Sequence, residues 1–356
     1  MAEGGLEQWF LDTVHGRARG PVASLTRGLL ALVAAGYGLG LRLRELTYRL
    51  GLVRPVRVKA EVISVGNLTL GGTGKTPAVI HLARQYRAAG RRPAILFRGH
   101  GARRLAGVHV VHDGAKLCLG VAEAGDEPVL TAQLLGDVPV LAGKDRRLTA
   151  RAAVEQFGAD VLLLDDGFQY RRLAIDRHIL LLDATQPFGV EKLFPAGTLR
   201  DPVGALRLAA EIWLTRTDHP AAVDLTALGR RLDRLAPGVP RRLTRHAPQR
   251  LRTLSGQARE LSELAGQSVL ALAGIGNPEA FAATLAGLGA KVADKAFFAD
   301  HHPYSREDLT AVARRAGAAR VVTTEKDAVR LTAWPADQPE PWVLGIELVV
   351  GEEFQA

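Results

Sequence analysis

VGNLTLGGTGKTP, residues Val65 to Pro77, decides how the rest of this chain is read. A Walker A phosphate loop has the form G-x-x-x-x-G-K-[ST], its glycines freeing backbone N–H groups to cradle phosphate oxygens. Gly74-Lys75-Thr76 supplies the end of that pattern, but the place of the first glycine holds Thr69. The context is nevertheless that of a phosphate loop. An apolar run at 61–65 (EVISV) reads as a strand and a helical stretch opens at Thr76, so an anion would meet a helix N-terminus. Thr69, Gly71, Gly72, Thr73 and Gly74 form the expected nest. Lys75 is expected to reach the β- and γ-phosphates of a nucleotide, and the Thr76 hydroxyl to bind Mg2+. Pro77 falls in the first helical turn, where a missing N–H costs little. Leu70 stands where the deviant phosphate loops of some ATPases carry a signature lysine, so that dimer-bridging residue is absent.

Outward from the loop, short apolar runs at 94–97, 108–112, 161–164, 179–183 and 211–215 alternate with helical stretches at 76–89, 128–135, 146–157 and 221–235. Such alternation predicts a mainly parallel sheet with helices on both faces. A basic stretch with Pro240 and Pro248, residues 239–256, reads as a connection. A second alternation follows, with strands at 268–273, 291–297, 320–324 and 342–349 around helices at 278–287 and 305–316. The expected division is an N-terminal apolar and basic segment (1–50), a phosphate-loop domain (51–238), the linker (239–256) and a C-terminal α/β domain (257–356).

The 356 residues carry a net charge of +9 and are 47% hydrophobic, a globular composition with room for two cores. The basicity suits an anionic partner, although scattered arginines also follow from genomic base composition. With aromatics at 5% and no finger or RNP pattern, no nucleic acid is expected. Cys118 is the only cysteine, which rules out an internal disulfide.

Near the N-terminus, Gly28 to Leu41 run without a charge. As a helix this run would be ~21 Å long, short of a ~30 Å hydrocarbon core. No A-x-A site follows, and Glu3, Glu7 and Asp12 are wrong for the start of a signal peptide. A buried core helix and an interfacial helix both remain. Arg17, Arg19, Arg27, Arg42, Arg44 and Arg49, with Trp9, Phe10, Tyr37 and Tyr48, favour the interface facing anionic lipid.

Three further constellations carry chemistry. In VLLLDDGFQ, Asp165 and Asp166 end an apolar strand as a Walker B pair would, although two carboxylates there also cap a turn. GDEP places Asp126 and Glu127 at a helix start, where the helix dipole alone would explain them. FFADHHPY places His301 and His302 beside Asp300, too few ligands for zinc and equally a solvated turn. LTRTD (214–218) resembles a guanine-reading motif with Arg216 in the lysine place, and AGIGNP (273–278) lacks the third small residue of a dinucleotide fingerprint, with Glu279 in its place.

Taken together, VGNLTLGGTGKTP, GDEP, GKDRR, LLLDDGFQ, FPAGTLRDP, GIGNP, FADHHPY and TTEKDAVR resemble the tetraacyldisaccharide 4′-kinase (lipid A 4′-kinase) family in order and spacing, from about Leu25 to Val350. The Thr69 form of the loop is that family's own. The resemblance implies a P-loop NTPase-like α/β/α sandwich, a second, smaller α/β/α domain and a membrane-associated N-terminal helix, with the active site in a cleft between the domains. It implies ATP and Mg2+ as cofactors, a lipid disaccharide substrate and the cytoplasmic face of the inner membrane, whose anionic surface the leader would meet peripherally or monotopically. No obligate protein partner is expected. By this resemblance Asp126 and His301 form a catalytic dyad, Lys75, Arg146 and Arg200 supply positive charge, and Thr76, Asp165, Asp166 and Glu127 form the metal set. The rival reading is a membrane-associated P-loop ATPase or GTPase acting as a switch or metallochaperone.

Overall fold

The computed structural model describes residues 9–10, 12–99, 107–219 and 221–354; the first eight residues of the expected leader lie outside them. In chain order the main elements are α1 (Pro21–Arg49), β1 (Glu61–Gly66), α2 (Lys75–Ala88), β2 (Pro93–Phe97) and β3 (His109–His112). Then come α3 (Asp126–Leu135), β4 (Val140–Ala142), α4 (Arg146–Phe157), β5 (Val161–Asp165), β6 (Arg177–Asp183), β7 (Glu211–Thr215), α5 (Leu225–Leu235) and β8 (Arg241–Thr253). The chain closes with β9 (Ala258–Arg259), β10 (Ser268–Ala273), α6 (Pro278–Gly287), β11 (Lys291–Phe297), α7 (Arg306–Ala316), β12 (Arg320–Thr324), the single turn α8 (Glu325–Ala328) and β13 (Trp342–Glu353).

These residues group into two compact units that are discontinuous in sequence. One holds the described residues up to 75, 161–245 and from 350 onward; the other holds 76–160 and 246–349. The division differs from the contiguous 51–238 and 257–356 expected from sequence, because packing follows sheet neighbours rather than chain order.

In the first unit, β5, β1, β6, β7 and the start of β8 pair in parallel, with Val65 opposite Asp165 and Leu180 opposite Ile212. Strand β5 is buried at every position and β1 at all but its first, as a parallel sheet covered on both faces requires. Leu180, Leu182, Ile212 and Leu214 pack with Leu228 and Leu232 of α5 into one core cluster. Asp224 caps α5, accepting from the backbone N–H groups of Thr226 and Ala227. In a parallel sheet the strand C-termini carry the ligand site, and here they deliver Gly66, Asp165, Asp183 and Thr215 to one edge.

The second unit contains β11-β10-β12-β13 in parallel, and β2 paired with β4, to which β3 adds antiparallel. Strand period explains its layers. Val269, Ala271 and Ala273 of β10 face α6 through Phe281, Ala282 and Leu285, while Leu270 and Leu272 face α7 through Leu309 and Val312. This is an α/β/α sandwich.

Two segments differ from their sequence reading. The basic connection is mostly strand: Arg241–Thr253 pairs with β7 at one end and β9 at the other. Helix α1 runs 29 residues, about 44 Å at 1.5 Å per residue, since Arg42, Arg44 and Glu45 continue the helix past the uncharged run. It is long and apolar enough to cross a membrane by length and composition. It is not a buried core helix: only Ala23 and Ala34 are buried, while Leu25 is 68% and Leu32 72% exposed.

Candidate active site

The phosphate loop leaves β1 at Gly66, where a side chain would meet the Phe168 Cβ at 2.6 Å, so only glycine lets β1 and the loop after β5 approach. Gly71 and Gly74 adopt positive φ angles of 108° and 87°, the conformations expected of a backbone nest. Thr69 holds the loop by a bridge to Leu199. The Gly72 carbonyl accepts from the Arg216 guanidinium at 2.9 Å. Thr73 is buried and its hydroxyl has no hydrogen-bond partner, the kind of orphaned donor a phosphate oxygen would satisfy. Thr76 lies in the first turn of α2.

Lys75 Nζ lies 3.3 Å from Asn67 Oδ1 and 3.8 Å from Asp166 Oδ1. Asp166 has a left-handed backbone, φ 52°, which turns its carboxylate onto Arg200 in a two-pronged pair at 2.7 and 2.8 Å. Asp165 ends β5, buried at 4% exposure. Lys75, Asp166 and Arg200 are therefore brought together. The structure adds Asn67 and Gln169: Gln169 donates to the Asn67 carbonyl at 3.1 Å and to Asp201 at 2.9 Å. Both lie inside motifs quoted above, but nothing in their spacing gave them a role. The Asp165 carboxylate is an oxygen donor of the kind taken by a hard cation such as Mg2+, which keeps much of its water and needs few protein ligands. Among the described residues no group of three or more His, Cys, Asp or Glu side chains could hold a metal by itself. Glu127 is exposed on the first turn of α3.

The second constellation lies within the other unit. His301 Nδ1 is 2.8 Å from Asp126 Oδ2, although 175 residues separate them. The expected division put them in separate domains, 51–238 and 257–356; they pair inside one compact unit. Asp126 opens α3 after Gly125, where the helix N-terminus favours a carboxylate. His301 follows β11 with φ 60°, a left-handed conformation uncommon for a non-glycine residue and found at functional loops.

A buried network holds these loops at the strand ends. Asp327, fully buried, accepts from the Gly274 N–H at 3.0 Å, the Tyr304 hydroxyl at 2.9 Å, Arg330 at 2.5 Å and Thr324 at 2.7 Å. Arg330 in turn donates to the carbonyls of Gly274 and His302 and stands 3.9 Å from Asp126. Burial, and then the Asp327 charge, push the Tyr304 hydroxyl pKa upward, so Tyr304 stays a neutral donor. The TTEKDAVR motif thus clamps the GIGNP and DHHPY loops together, a role its composition did not disclose. Arg146, 1% exposed, opens α4 behind the cap Asp145, which accepts from the Arg147 N–H.

A phosphate loop on a parallel sheet, a strand-end carboxylate pair and a carboxylate–histidine pair define a P-loop phosphotransferase. Residues 26–356 match the family described as tetraacyldisaccharide-1-P 4′-kinase. A tetraacyldisaccharide 4′-kinase of Anaeromyxobacter sp. strain K is 47% identical over 330 residues, covering 91% of this chain and 86% of that one. One of Syntrophus aciditrophicus is 45% identical over 319 residues, covering 85% and 84%. The crystal structure of an "apo" form of LpxK from Aquifex aeolicus, in complex with ATP, is similar at a TM-score of 0.76 and 29% identity, covering 92% of this chain and 96% of that one. The chain belongs to the tetraacyldisaccharide 4′-kinase family.

Proposed function

We propose that this chain is an ATP-dependent kinase that phosphorylates the 4′-hydroxyl of a tetraacylated glucosamine disaccharide 1-phosphate, giving lipid IVA in lipid A biosynthesis. The observation that carries this reading is the family match over residues 26–356. The alternative of a switch ATPase, GTPase or metallochaperone is not favoured by it.

The chemistry assigns the residues as follows. The nest of Thr69, Gly71, Gly72, Thr73 and Gly74 binds the phosphates, and Lys75 neutralises charge on the group being transferred. Thr76, Asp165, Asp166 and Glu127 are the proposed holders of Mg2+, which when bound supplies charge neutralisation on the phosphate oxygens. Arg200 is held by Asp166 and poised beside Lys75, and Arg146 is proposed as a further positive contact. A sugar hydroxyl is too weak an acid to attack unassisted near neutral pH, so Asp126 accepts its proton as the new P–O bond forms. His301 orients that carboxylate.

Helix α1 presents Leu25, Leu29, Leu32 and Leu39 outward, with Arg19 and Arg27 toward one end and Arg42 toward the other, a surface suited to an anionic lipid interface. We place the enzyme on the cytoplasmic face of the inner membrane, where ATP and a lipid acceptor meet. The test is a mixed-micelle assay with labelled ATP and the disaccharide 1-phosphate. Label should appear at the 4′ position and depend on acceptor; ATP turnover indifferent to acceptor would return the switch reading.

A further inference from the structure

We infer that Lys326 is a positioning residue that fixes His301 as the tautomer protonated on Nδ1 and so aims its N–H at Asp126. This rests on the kinase reading only for its consequence in turnover; the tautomer itself is a property of this chain.

The argument starts from what surrounds one imidazole. His301 Nδ1 is 2.8 Å from Asp126 Oδ2, and Nε2 is 3.2 Å from Lys326 Nζ and 3.8 Å from Asp300 Oδ2. Two carboxylates therefore compete for a ring that, when neutral, carries one N–H. If Asp300 took it through Nε2, the Nδ1 lone pair would face the Asp126 carboxylate at hydrogen-bond distance, which is repulsive. Lys326 decides the contest. Its ammonium has three donors and no acceptor, so at Nε2 it requires a lone pair and sends the ring proton to Nδ1.

Lys326 also occupies the competitor. It donates to Asp300 Oδ1 at 2.9 Å, the same oxygen that accepts the His301 backbone N–H at 3.1 Å. Burial acts to raise the Asp300 pKa, but the Lys326 hydrogen bond and charge and the nearby His301 outweigh it and hold the carboxyl low. A charged Asp300 in turn keeps the ammonium in place. The remaining neighbours fit this arrangement: Arg330 Nε is 3.9 Å from Asp126 Oδ2, and the Glu127 N–H donates to Asp126 Oδ1 at 3.0 Å. Each oxygen of Asp126 thus accepts one bond, leaving acceptor capacity for a hydroxyl. Lys326, in α8, follows β12 by two residues and His301 follows β11 by four, so the ends of the two strands that flank β10 build the contact.

The experiment uses the full chain with 15N-labelled histidine in detergent, the His301 signals being assigned by their loss in His301→Gln. The wild-type ring should show a protonated Nδ1 and an unprotonated Nε2. Lys326→Met should shift the ring toward the Nε2–H form and lower kcat by roughly 10- to 100-fold with KM for ATP unchanged, since a wrong tautomer costs rate and not nucleotide affinity. Lys326→Arg keeps a charged donor and should retain the wild-type tautomer and most of the rate. A wild-type ring protonated on Nε2 overturns the proposal, as does a folded Lys326→Met that keeps the Nδ1–H form. If Lys326→Met does not fold, the wild-type and Lys326→Arg spectra decide. Absence of phosphoryl transfer by the wild type would sink the kinase reading and leave the tautomer result standing.

Discussion

Tyr37, midway along the apolar helix α1, donates its hydroxyl to the backbone carbonyl of Arg200 at 2.8 Å. One residue on, Asp201 faces Arg44 of the same helix at 3.5 Å and accepts from Gln169, which also holds the Asn67 carbonyl. Asp201 is raised in pKa by burial, against the pull of Gln169, Arg44, Arg171 and Arg200. The leader is therefore tied to the strand-end loop that carries Arg200, while its leucines remain outside. The exposed leucines and the polar ties of this helix are thus carried by different residues.

That separation can be measured. Replacing Leu25, Leu29, Leu32 and Leu39 by Gln should weaken association with anionic vesicles at least about tenfold, because each lost leucine removes ~1.5–3 kcal/mol of full burial. Thermal stability should barely move, since exposed substitutions are usually worth within about 0.5 kcal/mol. Tyr37→Phe should do the reverse, costing about 1 kcal/mol of stability and leaving flotation intact. Flotation that survives the four substitutions would show that α1 does not hold the protein on lipid.

Lys75→Ala should lower kcat by roughly 10²–10³, the usual cost of one contact to charge that develops in the transition state. The fold should survive, because Arg200 still pairs with both oxygens of Asp166. A folded variant with wild-type kcat would remove the phosphate-loop assignment.

Much of this was legible in the sequence, for identifiable reasons. The loop, the β5 carboxylates and the strand–helix alternation are local patterns, and β1, α2, β5 and β7 lie within a residue or two of expectation. Val140–Ala142 was missed because three buried residues show no period. Arg241–Thr253 reads as a connection because Pro248 and its many arginines hide the strand, and its buried positions show no period of two. The length of α1 was underestimated because a helix, unlike an uncharged run, continues through Arg42 and Glu45. Long-range polar pairing left no local trace at all: the buried Asp327–Arg330–Tyr304 network, and the contact of Lys326 with His301, exist only once the strand ends are assembled.

His178 makes stability pH-dependent. Burial, then the Arg171 charge, lower its pKa from 6.5 to about 4, and its ring meets Phe168 edge-on at 5.1 Å. The folded protein holds it neutral where the unfolded chain binds a proton, so stability falls as pH drops through 6.5 and levels off below about 4. The full effect is on the order of 3 kcal/mol. In His178→Leu the fall in melting temperature between pH 7 and pH 4.5 should shrink. An unchanged acid slope would assign it to the carboxylates instead.

The Asp126–His301 pair gives the sharpest test of mechanism, because their contact is direct and each is proposed to have a separate job. If Asp126 receives the acceptor's proton, Asp126→Asn removes general-base help worth typically 10²–10⁴-fold in rate. His301→Ala should also slow turnover, by leaving the carboxylate without its partner at 2.8 Å. Once the base is gone, its orienting partner has little left to do, so the double variant should lose far less than the product of the two single losses. His302→Ala is the control. It bonds Asp308 at 3.0 Å and stacks on Phe298, away from Asp126, so it should affect stability more than kcat. The measurement is kcat for the wild type, both singles, the double and the control at saturating ATP and acceptor. Losses that multiply fully would mean two independent sites, and the 2.8 Å bond would then be a structural tie between α3 and the loop after β11.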